Sequence, residues 1–401
     1  MPSAFSLIDK QFMRLALREA WRGLGTTSPN PMVGAVIVAN GKVLARGHHA
    51  VAGGPHAEIA ALNNLPSRDR PLSKLADDDE EQGATARRGG VYKDILDDSS
   101  TDATPLFASS VEFGKRSRGA TLYITLEPCS THGRTPPCTE AIMQAGFARV
   151  VYGATDPNPQ HQGTAKKILE QAGISVTTGI LAEKCTALNH AWNHRMKTGM
   201  PWVIAKCGMS LDGRIATPGR RWITSEASRH HAMLFRRHVD AILVGGNTVR
   251  CDNPHLTIRG LRRSNELAPK LMNYGTDPFP DPYRVIWTRS KENIPKDCHL
   301  LTDEHRDGTI VLENCTLREG LQNLAVRGIS SVLIEGGGIT LGKAFEDGLV
   351  DEVRFYIAPL ILGGGTLAIS SNEVTSPIQS INSPSVRHLG PDLLIAGLVA
   401  K

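Results

Sequence analysis

No stretch of this 401-residue chain is long and apolar enough to span a bilayer. Its N-terminus, Met1-Pro2-Ser3-Ala4-Phe5, has no basic flank followed by an apolar run, so a secretory leader is not expected either. Aromatic residues are scarce at 5%, and the net charge is only +5. A nucleic-acid surface needs a basic face with aromatic platforms, so that class of partner is disfavoured. The seven cysteines (129, 138, 185, 207, 251, 298 and 315) are an odd set without framework spacing. Together with the missing leader, they point to a reducing, cytoplasmic setting, where paired cysteines more often hold metal. The second half lacks a Gly-x-Gly-x-x-Gly after a strand, which disfavours a Rossmann nucleotide site there.

The chain is too long for one ordinary core, and two domains are expected. Residues 8–24 carry apolar side chains at helical spacing. A turn-rich Thr-Thr-Ser-Pro-Asn-Pro then leads into a β-branched strand from Val33, and Asn40-Gly41 signals a hairpin. His56-Ala57-Glu58 opens a helix reaching Leu65. Residues 66–118 break the pattern with acidic runs and little periodicity, and read as a solvated, mobile insertion. Order resumes with a strand at 120–126, helices at 139–146 and 165–172, and strands at 149–154 and 173–177. That alternation predicts a three-layer α/β/α domain over 1–199, with 188–199 as a connector. Strands beginning at Trp202, Ala241, Arg284, Thr309, Val332, Glu352 and Leu393, with a helix over 225–239, make residues 200–401 a second α/β unit.

The chemistry concentrates in His56-Ala57-Glu58 and in Glu127-Pro128-Cys129 followed by Cys138. One imidazole and two thiolates form the protein shell expected of a catalytic zinc, with the fourth position open to water. His56, Cys129 and Cys138 are therefore the predicted ligands. An aminopyrimidine carbon is a poor electrophile, and zinc provides a strong nucleophile by bringing the pKa of water to about 7. Glu58 is the predicted acid–base catalyst, moving protons from water to ring nitrogen and leaving ammonia. Eight residues separate the cysteines, instead of the two of nucleoside and polynucleotide deaminases, so a longer loop carrying His132 and Arg134 covers the site. Taken alone, a His-x-Glu is common and two prolyl cysteines can be structural; the conjunction carries the inference.

In the second half, Ile334-Glu335-Gly336-Gly337-Gly338 leads into a helix, a place where backbone N–H groups and the helix dipole could meet phosphate. A tight packing turn explains the same glycines. Arg236, Arg259 and the Arg220-Arg221 pair could meet a substrate phosphate, with solvated surface as the alternative for each.

These segments closely resemble the bifunctional riboflavin-biosynthesis deaminase/reductase family. The resemblance rests on Thr-Thr-Ser-Pro-Asn-Pro-Met-Val-Gly-Ala-Val-Ile-Val, His-Ala-Glu, Thr-Leu-Glu-Pro-Cys-Ser-Thr-His-Gly-Arg-Thr-Pro-Pro-Cys and Asp156-Pro-Asn-Pro. In the second half it rests on Lys206, Ser210-Leu-Asp-Gly-Arg-Ile-Ala, Trp222-Ile-Thr-Ser, the run from Asn247 to Arg259, and Glu335-Gly-Gly-Gly. It covers almost the whole chain except 66–118. It implies a cytidine-deaminase-like first domain, a dihydrofolate-reductase-like second domain, and a cytoplasmic homo-oligomer. The implied substrate is a diaminohydroxypyrimidinone bearing a phosphoribosylamino group, deaminated and then reduced at C1′ by NADPH.

By matching position, Asn30, His132 and Arg134 meet substrate in the first domain. Gly208, Trp222, Thr248 and Asp252 hold cofactor in the second, with the loop formed by Gly337, Gly338, Ile339, Thr340, Leu341, Gly342 and Lys343. Lys206, Arg220, Arg236, Leu256, Arg259 and Glu335 hold substrate there. Two other readings stand beside this one: a nucleobase or polynucleotide deaminase with a C-terminal nucleic-acid-binding module, and a non-catalytic scaffold with a structural zinc. Glu58 speaks against the scaffold, because a structural site has no use for an unligated acid.

Overall fold

The computed structural model describes residues 6–66, 117–132, 136–158, 161–259, 281–370 and 379–400. Nearly all of the 66–118 segment expected to be a mobile insertion therefore lies outside the described residues. Those described fall into two compact units that change over at Lys197/Thr198.

The first unit is a five-stranded sheet in the order β2-β1-β3-β4-β5. Its strands are β1 (Gly34–Ala39), β2 (Lys42–His48), β3 (Thr121–Leu126), β4 (Arg149–Ala154) and β5 (Ser175–Thr178). The hairpin β1–β2 is antiparallel and turns at Asn40-Gly41; β3, β4 and β5 run parallel. Because strand side chains alternate, Val36 and Val38 face one layer while Ala35 and Ile37 face the other. The first layer is the helix Leu7–Ala20, which buries Phe12, Met13, Ala16 and Leu17 on one stripe. The second holds the helices Ala57–Asn63, Cys138–Ala145 and Thr164–Gln171, through Ala61, Ile142 and Leu169. A Cβ on Gly47 would come within 2.2 Å of the Ala61 nitrogen, so only glycine lets the helix after His56 lie this close to β2.

The second unit is an eight-stranded sheet in the order β10-β9-β8-β11-β6-β12-β15-β14. Its strands are β6 (Trp202–Ser210), β8 (Ala241–Gly245), β9 (Tyr283–Thr288), β10 (Thr309–Glu313), β11 (Ser331–Ile334), β12 (Glu352–Ala358), β14 (Ile381–Leu389) and β15 (Asp392–Val399). The strands from β10 to β12 are parallel, and β15 and β14 close one edge antiparallel. A small antiparallel pair joins β7 (Arg214–Ala216) to β13 (Thr366–Leu367). Leu243 and Ile334 pack into one face, Ile242 and Leu333 into the other, the burial on both sides expected of parallel strands.

Several elements differ from the sequence expectation. The segment taken as a connector is the helix His190–Thr198, preceded by Ala182–Leu188. Polar Asn189, Asn193 and His194 interrupt its apolar stripe, which hides the helical period. Helices Gly246–Asp252 and Leu317–Val326 are additional. The latter starts at a capping box in which Thr316 and Glu319 satisfy each other's backbone N–H groups.

Candidate active sites

In the first unit the predicted ligands converge. His56 is the residue before the helix Ala57–Asn63, Cys138 is the first residue of Cys138–Ala145, and Cys129 follows the C-terminal end of β3. His56 Nδ1 stands 3.2 Å from Cys138 Sγ and 3.5 Å from Cys129 Sγ. The three donor atoms lie within 4.8 Å of one another, although 73 residues separate His56 from Cys129 along the chain. Two helix N-termini point their positive ends at this place, and the Cys138 backbone N–H donates to Cys129 Sγ at 3.2 Å. Both features favour thiolate. As protein groups alone, the two thiols cannot both ionise. The Cys138 hydrogen bond holds Cys129 down to about 4, and the same contact pushes Cys138 up. One nitrogen and two sulfurs at this spacing suit a zinc ion, whose bonds to them span about 2.0–2.3 Å.

Glu58 completes the set. It is 3% exposed, and its Oε2 is buried with no hydrogen-bond partner among the described residues. Burial, and then the neighbouring Cys129, push its carboxyl up to about 7. A buried carboxylate oxygen left unpaired is costly in a structural role and useful in a catalytic one.

The residues around this centre are placed as follows. Asn30 lies beside His49, with Asn30 Nδ2 at 3.1 Å from His49 Nε2, while His49 Nδ1 lies 2.9 Å from the Pro55 carbonyl. The His49 ring meets that of His56 edge-on at 5.7 Å. Sequence reasoning passed over His49, which is 3% exposed at the end of β2. Its one signal is a polar residue where the strand's alternation calls for a buried side chain. The loop carrying Asn30 is tied to Asn189, whose side chain bonds both the N–H and the carbonyl of Met32 at 2.8 Å. His132 points to solvent with Glu140 at 3.7 Å, and Arg134 lies outside the described residues. Glu127, also missed as a functional residue, accepts backbone N–H groups from Asp156, Gly163 and Ala165 at 3.0–3.2 Å, anchoring the Asp156-Pro-Asn loop and the next helix.

In the second unit, Glu335 and Arg236 meet face to face, with Nε and Nη2 on the two carboxylate oxygens at 2.9 and 2.8 Å. Lys206 Nζ is 3.7 Å from the same carboxylate. Burial alone would raise the Glu335 carboxyl, but Arg236 and Lys206 hold it down to about 2. Arg236 spends a third group, Nη1, on the Thr257 carbonyl at 2.7 Å.

Thr248 accepts the Gly337 N–H at 3.2 Å, bringing two of the expected cofactor residues together. The glycine run is in part a packing turn. A Cβ on Gly336 would meet the Gly245 nitrogen at 3.1 Å, and one on Gly338 the Leu367 carbonyl at 2.2 Å, whereas one on Gly337 would meet Thr248 Oγ1 at an ordinary 3.5 Å. Thr340 and Leu341 are buried, Ile339 is exposed, and Gly342 is buried. Lys343 sits in the helix's last turn, paired with Asp347 at 2.8 Å. Gly208 packs on Thr224, and the half-exposed Trp222 ring lies under Arg221 and Arg229. Arg220 Nε donates to the Trp222 carbonyl at 2.9 Å. Asp252 and Arg259 are exposed, whereas Leu256 is buried in the core.

Comparison with known proteins agrees in both halves. Residues 7–154 match the cytidine and deoxycytidylate deaminase zinc-binding region, and residues 201–395 match the RibD C-terminal domain. The chain is 35% identical to the riboflavin biosynthesis protein RibD of Synechocystis, over 97% of this chain and 96% of that one. It is 33% identical to RibD of Escherichia coli, covering 96% and 98% respectively. The solved structure of Acinetobacter baumannii RibD aligns with a TM-score of 0.76 at 30% identity, covering 98% of this chain and 99% of the other. A Thermotoga maritima structure described as a diaminohydroxyphosphoribosylaminopyrimidine deaminase/5-amino-6-(5-phosphoribosylamino)uracil reductase aligns at 0.73 and 28%, covering 98% and 99%.

Proposed function

This chain belongs to the RibD family of riboflavin biosynthesis proteins, and on that premise we propose which of its residues carry the family's two reactions. It is a bifunctional enzyme with a zinc-binding deaminase domain and a reductase domain that uses a nicotinamide cofactor. The first reaction is hydrolytic deamination of 2,5-diamino-6-(5-phosphoribosylamino)pyrimidin-4-one; the second reduces the ribosyl group to a ribityl phosphate chain. We propose residues 1–199 and 200–401 as the respective domains.

In the first domain His56, Cys129 and Cys138 would hold zinc, which when bound supplies the Lewis acidity that makes water ionisable near neutral pH. Glu58 handles the protons. Its carboxylate takes one from the attacking water and passes it to the ring nitrogen, then takes the second from the newly added hydroxyl and gives it to the departing amino group. The water oxygen forms the new C–O bond, the C–N bond breaks, and ammonia leaves. Asn30, His132 and Arg134 are assigned to the substrate.

In the second domain C1′ accepts a hydride while its bond to the sugar ring oxygen breaks, and that oxygen takes a proton. Lys206, held beside Glu335, steadies the charge that develops there. Arg220, Arg236, Leu256, Arg259 and Glu335 shape the substrate side. Gly208, Trp222, Thr248, Asp252 and the Gly337–Lys343 loop shape the cofactor side, with NADPH as the proposed donor. A cytoplasmic homo-oligomer acting on a small molecule completes the reading; the seven cysteines, none of them in a disulfide, suit the reducing compartment.

The observation that carries the proposal is the unpartnered Glu58 oxygen beside a converged His-Cys-Cys set. Its test is Glu58→Gln, expected to retain zinc while ammonia release falls between about 100- and 10,000-fold. Unchanged turnover would remove Glu58 from the mechanism.

A further inference from the structure

The segment from Asp252 to Arg259 joins an expected cofactor residue to an expected substrate residue, and its backbone is strained. Asn253 has φ +38° and Leu256 φ +53°, a left-handed conformation that is a genuine outlier for a leucine. Strain of this kind persists only where surroundings over-determine it, and it collects at functional sites.

Here the over-determination is visible residue by residue. The His299 backbone N–H donates to Asn253 Oδ1 at 2.8 Å, and His299 Nδ1 lies 2.8 Å from the Asn253 carbonyl. Arg284 Nη1 donates to the His255 carbonyl at 3.1 Å, and Arg236 Nη1 to the Thr257 carbonyl at 2.7 Å. The Ile258 N–H is taken by Asp281 at 2.7 Å. The two exposed ends, Asp252 and Arg259, are thus spaced by a run whose interior cannot relax.

Arg284 is more deeply buried than Arg236, the other arginine of this clamp. It projects from β9 and is 1% exposed, among the largest fully buried side chains. Its Nη1 bonds Asp303 at 2.7 Å as well as His255, and its Nη2 bonds the Leu300 carbonyl at 3.2 Å. Its Nε is buried without a partner among the described residues. A buried guanidinium with an unsatisfied N–H stabilises a fold less well than an apolar residue of similar volume. What it uniquely provides is a planar, forked donor reaching the strained loop, the helix at Leu300 and Asp303 together.

We propose that Arg284 is a positioning residue for the reductase, holding the strained 253–257 backbone so that Asp252 and Arg259 keep the spacing required between cofactor and substrate. This rests on the reductase reading given above. Arg284 reaches neither ligand; it acts through the His255 carbonyl.

The test is Arg284→Lys, which keeps a charge for Asp303 but cannot bridge His255 and Leu300 at once. The reductase KM for the deaminated phosphoribosylaminopyrimidine should rise or its kcat fall so that kcat/KM drops between about 10- and 100-fold. The deaminase of the same chain, which does not involve Arg284, should change less than about twofold. If the lysine variant does not fold, His299→Phe keeps the stack on His255 but removes the bond to the Asn253 carbonyl. It should shift reductase KM in the same direction by a smaller factor. KM unmoved in every variant that folds, with kcat lost only in proportion to folded protein, would show a merely structural arginine and overturn the proposal. The wild-type chain separates the two readings: if it fails to reduce the substrate, the reductase assignment falls, whereas normal wild-type reduction beside an unaffected variant sinks this inference alone.

Discussion

Arg236 grips Glu335 with two parallel hydrogen bonds, at 2.9 and 2.8 Å, where the side chains are only 10% and 8% exposed. With Lys206 on the same carboxylate, the cluster carries two positive charges against one negative. That surplus suits a phosphorylated, anionic substrate better than a neutral one. Removing Glu335 outright would leave Arg236 buried and uncompensated, at a cost of about 3–5 kcal/mol. Glu335→Ala therefore confounds stability with catalysis; Glu335→Gln also removes the charge but keeps the volume and one acceptor oxygen for Arg236, and is the cleaner variant.

For the second half, Asp252→Ala and Glu335→Gln are expected to abolish NADPH oxidation while deamination survives. Asp252 is exposed, so its loss should cost stability within about 0.5 kcal/mol. The measurement is paired, ammonia and NADPH from the same preparation. A joint fall of both activities would show the division into domains to be wrong.

For the first half, chelation should remove ammonia release and spare reduction of the deaminated substrate, and added zinc should restore the loss. Cys138→Ser should behave like the chelated protein at every zinc concentration short of large excess. Ammonia release that persists in metal-stripped protein, checked by elemental analysis, would rule out the ligand set proposed here.

A pH effect on stability follows from His231. It is partly buried, its Nδ1 lies 2.9 Å from the Tyr356 hydroxyl, and burial followed by Arg387 and Arg354 lowers its pKa to about 4. The folded state therefore binds fewer protons than the unfolded one between about pH 4 and 6.5, and stability falls as pH drops through that window. After allowance for partial exposure, His231 should cost about 1 kcal/mol at pH 5 relative to pH 7. Denaturant unfolding of wild type and His231→Gln at both pH values checks this. Equal pH dependence in the two would refute it.

Much of the first half is legible in the sequence because its signals are local and redundant. Val33 to Val38 reads as a buried strand, Asn40-Gly41 as a tight turn, and each proposed zinc ligand lies beside a motif residue. The structure adds the convergence: a helix start and a strand end meet across a chain gap that no spacing rule could bridge.

The helix His190–Thr198 was illegible because Asn189 and Asn193 are buried by hydrogen bonding rather than by apolarity. Asn189 holds Met32 and Asn193 holds the Thr186 carbonyl. Glycines were ambiguous for the opposite reason. Only the fold separates Gly336 and Gly338, which pack against backbone, from Gly337, which faces the Thr248 side chain without crowding. The clamp on Asn253–Thr257 left no pattern at all, since Arg284, His299 and Asp281 each read as ordinary strand or loop residues.

The most direct measurement follows ammonia release from the phosphoribosylaminopyrimidine by the zinc-replete chain, with and without NADPH. The expected result is ammonia stoichiometric with substrate in both cases, and NADPH oxidation that lags behind ammonia and never exceeds it. NADPH oxidation without prior ammonia, or no ammonia from zinc-replete protein, would contradict a deaminase and a reductase working in sequence on one substrate.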